Sequence, residues 1–92
     1  MIVGTLRVRL LIREARTLKD KRQVVQSIKD KLANSFNVSI AEIESLDNPR
    51  LAVLGMAMVS NEAQHVKTAL GQIVQALRVH PIAEFLDHEM EV

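Results

Sequence analysis

At 92 residues and 48% hydrophobic content, the chain is long enough for one compact domain and too apolar for wholesale disorder. It has no cysteine, which excludes disulfides and thiolate metal sites and makes a reducing, cytoplasmic setting the expectation. The formal net charge of +1 hides a polarity: residues 7–31 hold nine Lys/Arg against three Asp/Glu, and the remaining residues hold three against eight. Such asymmetry suits either an anion-binding surface or charge matching inside the fold.

Residues 2–12 alternate, with Leu6, Val8, Leu10 and Ile12 on one side and Thr5, Arg7, Arg9 and Leu11 on the other. A period of two in branched apolar residues predicts a strand with one buried face. Arg7 and Arg9 interrupt the apolar run, so a signal peptide is not expected, and no other stretch has the length of a membrane span.

Thr17 followed by Asp20 resembles a capping box and predicts the start of a helix. Leu18, Val25, Ile28, Leu32 and Phe36 form its apolar stripe, with Lys19, Arg22 and Lys29 along one flank. The helix is expected to end near Asn34 to Asn37, because Asn tolerates a left-handed cap. Val38 to Leu46 returns to strand character, and Asp47-Asn48-Pro49-Arg50 has turn composition. Glu42 and Glu44 read as the solvated face of an edge strand.

Leu51 to Val59 is apolar on both faces, as expected of a central strand. Ser60 or Asn61 is placed to cap a second helix whose stripe is Val66, Leu70, Ile73 and Leu77, and Pro81 ends it near His80. Residues 83–92 alternate again, Leu86, His88 and Met90 against Phe85, Asp87 and Glu89. The order strand, helix, strand, strand, helix, strand predicts a single α+β domain over residues 1–92. It is the ferredoxin-like split β-α-β plan (βαββαβ), a four-stranded antiparallel sheet with two helices on one face. In it the last strand pairs with the first, so Asp87, Glu89 and Glu91 are expected to neutralise Arg7 and Arg9.

Four segments carry a family resemblance: Met1-Ile2-Val3-Gly4, Ala15-Arg16-Thr17-Leu18-Lys19-Asp20-Lys21-Arg22, Phe36-Asn37-Val38-Ser39-Ile40-Ala41-Glu42 and Leu54-Gly55-Met56-Ala57-Met58-Val59-Ser60-Asn61. At this spacing the chain resembles the YlxP family of small bacterial cytoplasmic proteins. The resemblance implies the same fold and no established enzymatic activity. Encoding of relatives beside translation and ribosome-maturation genes implies a ribosome- or RNA-associated role. The loop Ser45-Leu46-Asp47-Asn48-Pro49-Arg50 lacks the tryptophan that relatives often carry there.

The residues offer two working surfaces. Arg13, Arg16, Lys19, Lys21, Arg22 and Lys29 cluster around the start of the first helix, where free backbone N–H groups favour anions, and they suit RNA phosphates or a ribosomal particle. The only aromatics are Phe36 and Phe85, so base stacking on the central strands is not expected. Alternatively, Leu11, Val53, Gly55, Ala57 and Val59 form a sheet face for protein interaction, with a homodimer expected. No cofactor, metal site or catalytic residue is expected. His65, His80 and His88 lack ligand spacing, and an acylphosphatase-like loop would need the glycines that residues 13–16 lack.

Overall fold

The computed structural model describes residues 1–92. It consists of β1 (Ile2–Leu11), α1 (Leu18–Ser35), β2 (Ser39–Glu44), β3 (Leu51–Ser60), α2 (Ala63–Arg78) and β4 (Glu84–Glu91). The strands form one antiparallel sheet in the order β2-β3-β1-β4, the ferredoxin-like arrangement expected from the element order. No helix is long and apolar enough to cross a membrane.

Alternation decides what each central strand buries. Leu6, Val8 and Leu10 of β1 and Ala52, Leu54, Met56 and Met58 of β3 face the helices, where they meet Val25, Ile28 and Leu32 of α1. From α2 the same core receives Val66, Ala69, Leu70, Ile73, Val74 and Leu77. Gly4 is buried against α2; a Cβ at that position would collide with Cγ1 of Val66.

Helix boundaries follow local chemistry. At the start of α1 the Thr17 hydroxyl accepts the Asp20 N–H at 3.2 Å, and the Asp20 carboxylate accepts the Thr17 N–H at 3.3 Å, completing the capping box. The far end falls within the expected Asn34 to Asn37, at Ser35, but by a different cap. Phe36 at the C-cap is extended, with φ −136°, so the chain leaves α1 directly into β2 and no asparagine takes a left-handed turn. At α2 the N-cap position is Glu62, with no side-chain cap, while Ser60 Oγ accepts the Glu62 N–H at 3.2 Å just ahead of the helix.

Two irregularities shift side chains between sheet faces. In β2 the ladder to β3 skips Ile43, so Glu42 pairs with Leu54 and Glu44 with Val53. In β4 the ladder to β1 skips Leu86, so Asp87 opposes Arg9 while Phe85 opposes Leu10. The second bulge corrects the simple alternation expected for this strand: Phe85 packs on the core, and Asp87, opposite Arg9, turns to the open face.

Candidate functional site

The arginines of β1 have partners on both sides. Arg9 pairs with Asp87 of β4 at 2.9 Å, as the strand order leads one to expect. Arg7 turns the other way and meets Glu44 of β2 at 2.7 Å. Because β3 lies between β1 and β2, that ion pair must cross β3, and it does so between Gly55 and Val53, the ladder partners of Arg7 and Glu44. Each arginine holds its carboxylate below the usual range, chiefly through the hydrogen bond it donates.

This arrangement corrects the expected sheet-face surface. Val53, expected on an exposed apolar face, is only 1% exposed, its ladder partners being Arg9 and Glu44. Leu11 and Gly55 are half-buried, and Ala57 and Val59 are exposed. Beside the ion pairs lies a shallow depression of about 470 Å³, floored by small residues including Ala41, Gly55 and Ala57 and edged by Thr5, Glu89 and Glu91.

The expected basic cluster divides into three parts. Arg13 is tied to Glu84 at 2.7 Å. Lys21 is not on the surface at all: it is fully buried, its Nζ 2.7 Å from Glu42 Oε2 and donating to the carbonyls of Ser45 and Leu51 at 3.0 and 3.1 Å. Spacing explains the burial, because position 21 lies in line with Val25, Ile28 and Leu32 on the inward face of α1. Glu42 shares its strand face with Ile40, so it also points toward the helices rather than to solvent.

Arg16, Lys19, Arg22 and Lys29 remain, none with a carboxylate in ion-pairing range. Helical geometry puts Arg22 and Lys29 on one flank, with Lys19 turned further toward solvent. Lys31 occupies the opposite flank, next to Ala76, Leu77 and His80 at the end of α2. The basic flank therefore faces away from α2.

The loop leading into the helix is already occupied. Asp20 Oδ2 accepts the N–H groups of Arg16 and Thr17 at 3.0 and 3.3 Å, and these bonds, the one from Arg16 foremost, lower its pKa. The Ala15 N–H is spent on Ile12 O at 3.2 Å. The protein's own carboxylate thus takes up the amides of the loop before the helix, while those of Leu18 and Lys19 in the first turn have no protein acceptor.

Sequence reasoning also passed over Arg50. Its Nε donates to Ala15 O at 3.1 Å, which sets it beside the residue that precedes Arg16, and the side chain has no acidic partner. Its place in a turn gave no signal of this contact.

Residues 3–90 match the family described as "Protein of unknown function (DUF503)". The uncharacterized protein YlxP of Bacillus subtilis (strain 168) is 30% identical over 83 residues, covering 90% of each chain. Among solved structures, the de novo designed protein LFR1 1 with ferredoxin fold superposes with a TM-score of 0.61 at 15% identity, covering 100% of this chain and 87% of that one. The de novo designed protein Ferredog-Diesel gives a TM-score of 0.52 at 11% identity, covering 99% and 85%. At such identities the likeness concerns the fold.

Proposed function

Since the chain belongs to the YlxP family, described as of unknown function, we propose from its own surface that it is a non-enzymatic module that contacts the phosphate backbone of RNA, free or in a ribosomal particle. One observation carries this reading. Arg7, Arg9, Arg13 and Lys21 each have a carboxylate partner, whereas Lys19, Arg22 and Lys29 on α1 and Arg16 just ahead of it have none. At about 1.5 Å per residue Lys19 to Lys29 alone extends roughly 15 Å, a span suited to a repeating polyanion rather than to one small anion.

Phe36 and Phe85 both pack against the core, so the surface has no ring on which a base would stack. Recognition is then by phosphate and shape, tolerant of sequence. The engaged amides of Ala15, Arg16 and Thr17 favour binding over phosphate-cradle catalysis.

Fluorescence anisotropy with a labelled RNA duplex, paired with co-sedimentation with ribosomal subunits, tests this across a salt series. Four phosphate contacts predict a slope of log K against log salt of roughly −3 to −4. Reversing Arg16, Lys19 and Arg22 to Glu should abolish association. Absence of binding even at about 50 mM salt, where such contacts are strongest, overturns the proposal.

The open sheet face supports a second reading, homodimerisation. Val3 and Val59 are ladder partners, 48% and 55% exposed, with Ala57 exposed beside them. Light scattering after size exclusion tests it, with Val59→Glu expected to shift a dimer to monomer; a wild-type monomer at high micromolar concentration rejects it.

A further inference from the structure

An apolar residue at position 21 would continue the stripe of Val25, Ile28 and Leu32, and buried ion pairs seldom stabilise a fold better than well-packed hydrophobic residues do. What a lysine adds is reach and three donors. Nζ contacts the carbonyls of Ser45 and Leu46 at 3.0 and 3.4 Å and that of Leu51 at 3.1 Å. These carbonyls belong to opposite ends of the β2–β3 loop, residues 45–50, so a single ammonium draws both ends together. Glu42 supplies the counter-charge. The 2.7 Å contact is ionic rather than a well-angled hydrogen bond, and Glu42 Oε2 has no other polar partner.

The loop held in this way carries Arg50. Asn48 Oδ1 accepts the N–H groups of Arg50 and Leu51, both at 2.9 Å, while Arg50 O accepts the Ile12 N–H at 2.8 Å. Arg50 Nε reaches Ala15 O at 3.1 Å, leaving its two Nη groups unpaired on an exposed residue. A guanidinium fixed through Nε presents those donors in a planar fork suited to phosphate.

We propose that Arg50 is a fifth phosphate contact of the basic surface, and that Lys21 is a positioning residue which never touches the ligand but holds the loop that presents Arg50. The inference rests on the RNA-contact reading and deepens it by making the surface two-sided, the α1 flank on one side and the β2–β3 loop on the other. An ordered loop presents its guanidinium without an ordering cost on binding.

The test uses the full chain, a labelled RNA duplex and amide hydrogen exchange. Arg50→Ala should weaken binding about fivefold and make the salt slope shallower by about one contact. Lys21→Met combined with Glu42→Gln, which removes both buried charges together, should have the same effect with Arg50 still present. Adding Arg50→Ala to that pair should cost little more, the non-additivity expected of residues acting in series. The hydrogen-bonded loop amides of Asn48 and Arg50 should exchange faster in the pair variant, while those of α1 and the interior of β3 keep their protection. Asn48→Ala loosens the same loop from its exposed side and should reproduce the loss if the core variant folds poorly. Wild-type affinity in both loosened variants, or additive losses, would overturn the positioning role. A wild-type protein that does not bind the duplex overturns the function and Arg50's contact together; loop exchange then decides separately whether Lys21 holds residues 45–50.

Discussion

Arg7 and Glu44 form an ion pair across an intervening strand. The guanidinium starts on β1, passes over β3 at Gly55 and meets the carboxylate of β2 at 2.7 Å. Gly55 keeps this floor low, since a Cβ there would lie 2.9 Å from Ile43 Cγ2. Together with Arg9 and Asp87, the pair links β1 to both edge strands, β2 and β4, across the face that no helix covers.

These two pairs predict an acid-side loss of stability. Glu44 and Asp87 have folded-state pKa values below their ordinary ones, chiefly because Arg7 and Arg9 donate hydrogen bonds to them. A depressed carboxylate contributes stability above its unfolded pKa, near 4, and loses that contribution as pH falls through the folded value. The melting temperature should therefore drop below about pH 4.5, and Glu44→Gln with Asp87→Asn should flatten the drop. An unchanged profile in the double variant would assign the acid sensitivity elsewhere.

His80 predicts a second effect with the same sign in a higher window. Its Nδ1 accepts the N–H groups of Ile82 and Ala83 at 3.1 and 3.0 Å, which requires that nitrogen to be unprotonated. Burial first, and the nearby Lys31 second, lower its pKa. Between its unfolded value near 6.5 and its lower folded value the unfolded chain binds more protons, so stability falls as pH drops through that interval. His80→Asn, whose side-chain oxygen can accept in place of Nδ1, should remove the dependence that sets in below about pH 6.5 in calorimetric scans.

Two glycines should answer substitution in opposite directions. At Gly4 a methyl group meets the stiff side chain of Val66, so Gly4→Ala should destabilise by about 1–3 kcal/mol, with Val66→Ala recovering part of the loss. At Gly71 an added Cβ meets nothing within 4 Å, and Gly71→Ala should stabilise α2 by about 0.5–1 kcal/mol. Urea unfolding of the three variants checks both.

The buried pair of α1 and β2 should be costly to break and cheap to remove. Lys21→Met alone leaves Glu42 without its partner and should cost about 3–5 kcal/mol. The combination with Glu42→Gln should recover most of that loss in chemical denaturation. Equal losses in the single and double variants would show that the carbonyl contacts, not the ion pair, set the cost.

Much of the fold was legible because it depends on period. The alternation of Leu6, Val8 and Leu10, the stripe of Val66, Leu70, Ile73 and Leu77 and the Thr17–Asp20 box each describe one element in isolation. The candidate surface was legible only in part, because charge type is a poor guide to exposure. Lys21 read as one of six surface cations although its spacing from Val25 and Ile28 already placed it inward. Glu42 likewise shares the parity of Ile40. The bulges at Ile43 and Leu86 depend on pairing with another strand, and they decide which face Glu44 and Phe85 take. Arg50's contact with Ala15 spans 35 residues and leaves no local pattern.

The Leu86 bulge has one more consequence, for how the molecule meets its own kind. A fourth strand with strict alternation would present a regular, partly apolar hydrogen-bonding margin to any other unpaired strand. The extra residue bends β4, and Glu84, Asp87, Glu89 and Glu91 crowd that margin with carboxylates. A second β4 laid against it would bring like charges face to face. Even if the open face of the sheet does recruit another copy, that outer margin is built to resist edge-to-edge stacking, and with it the route by which small exposed sheets grow into fibres.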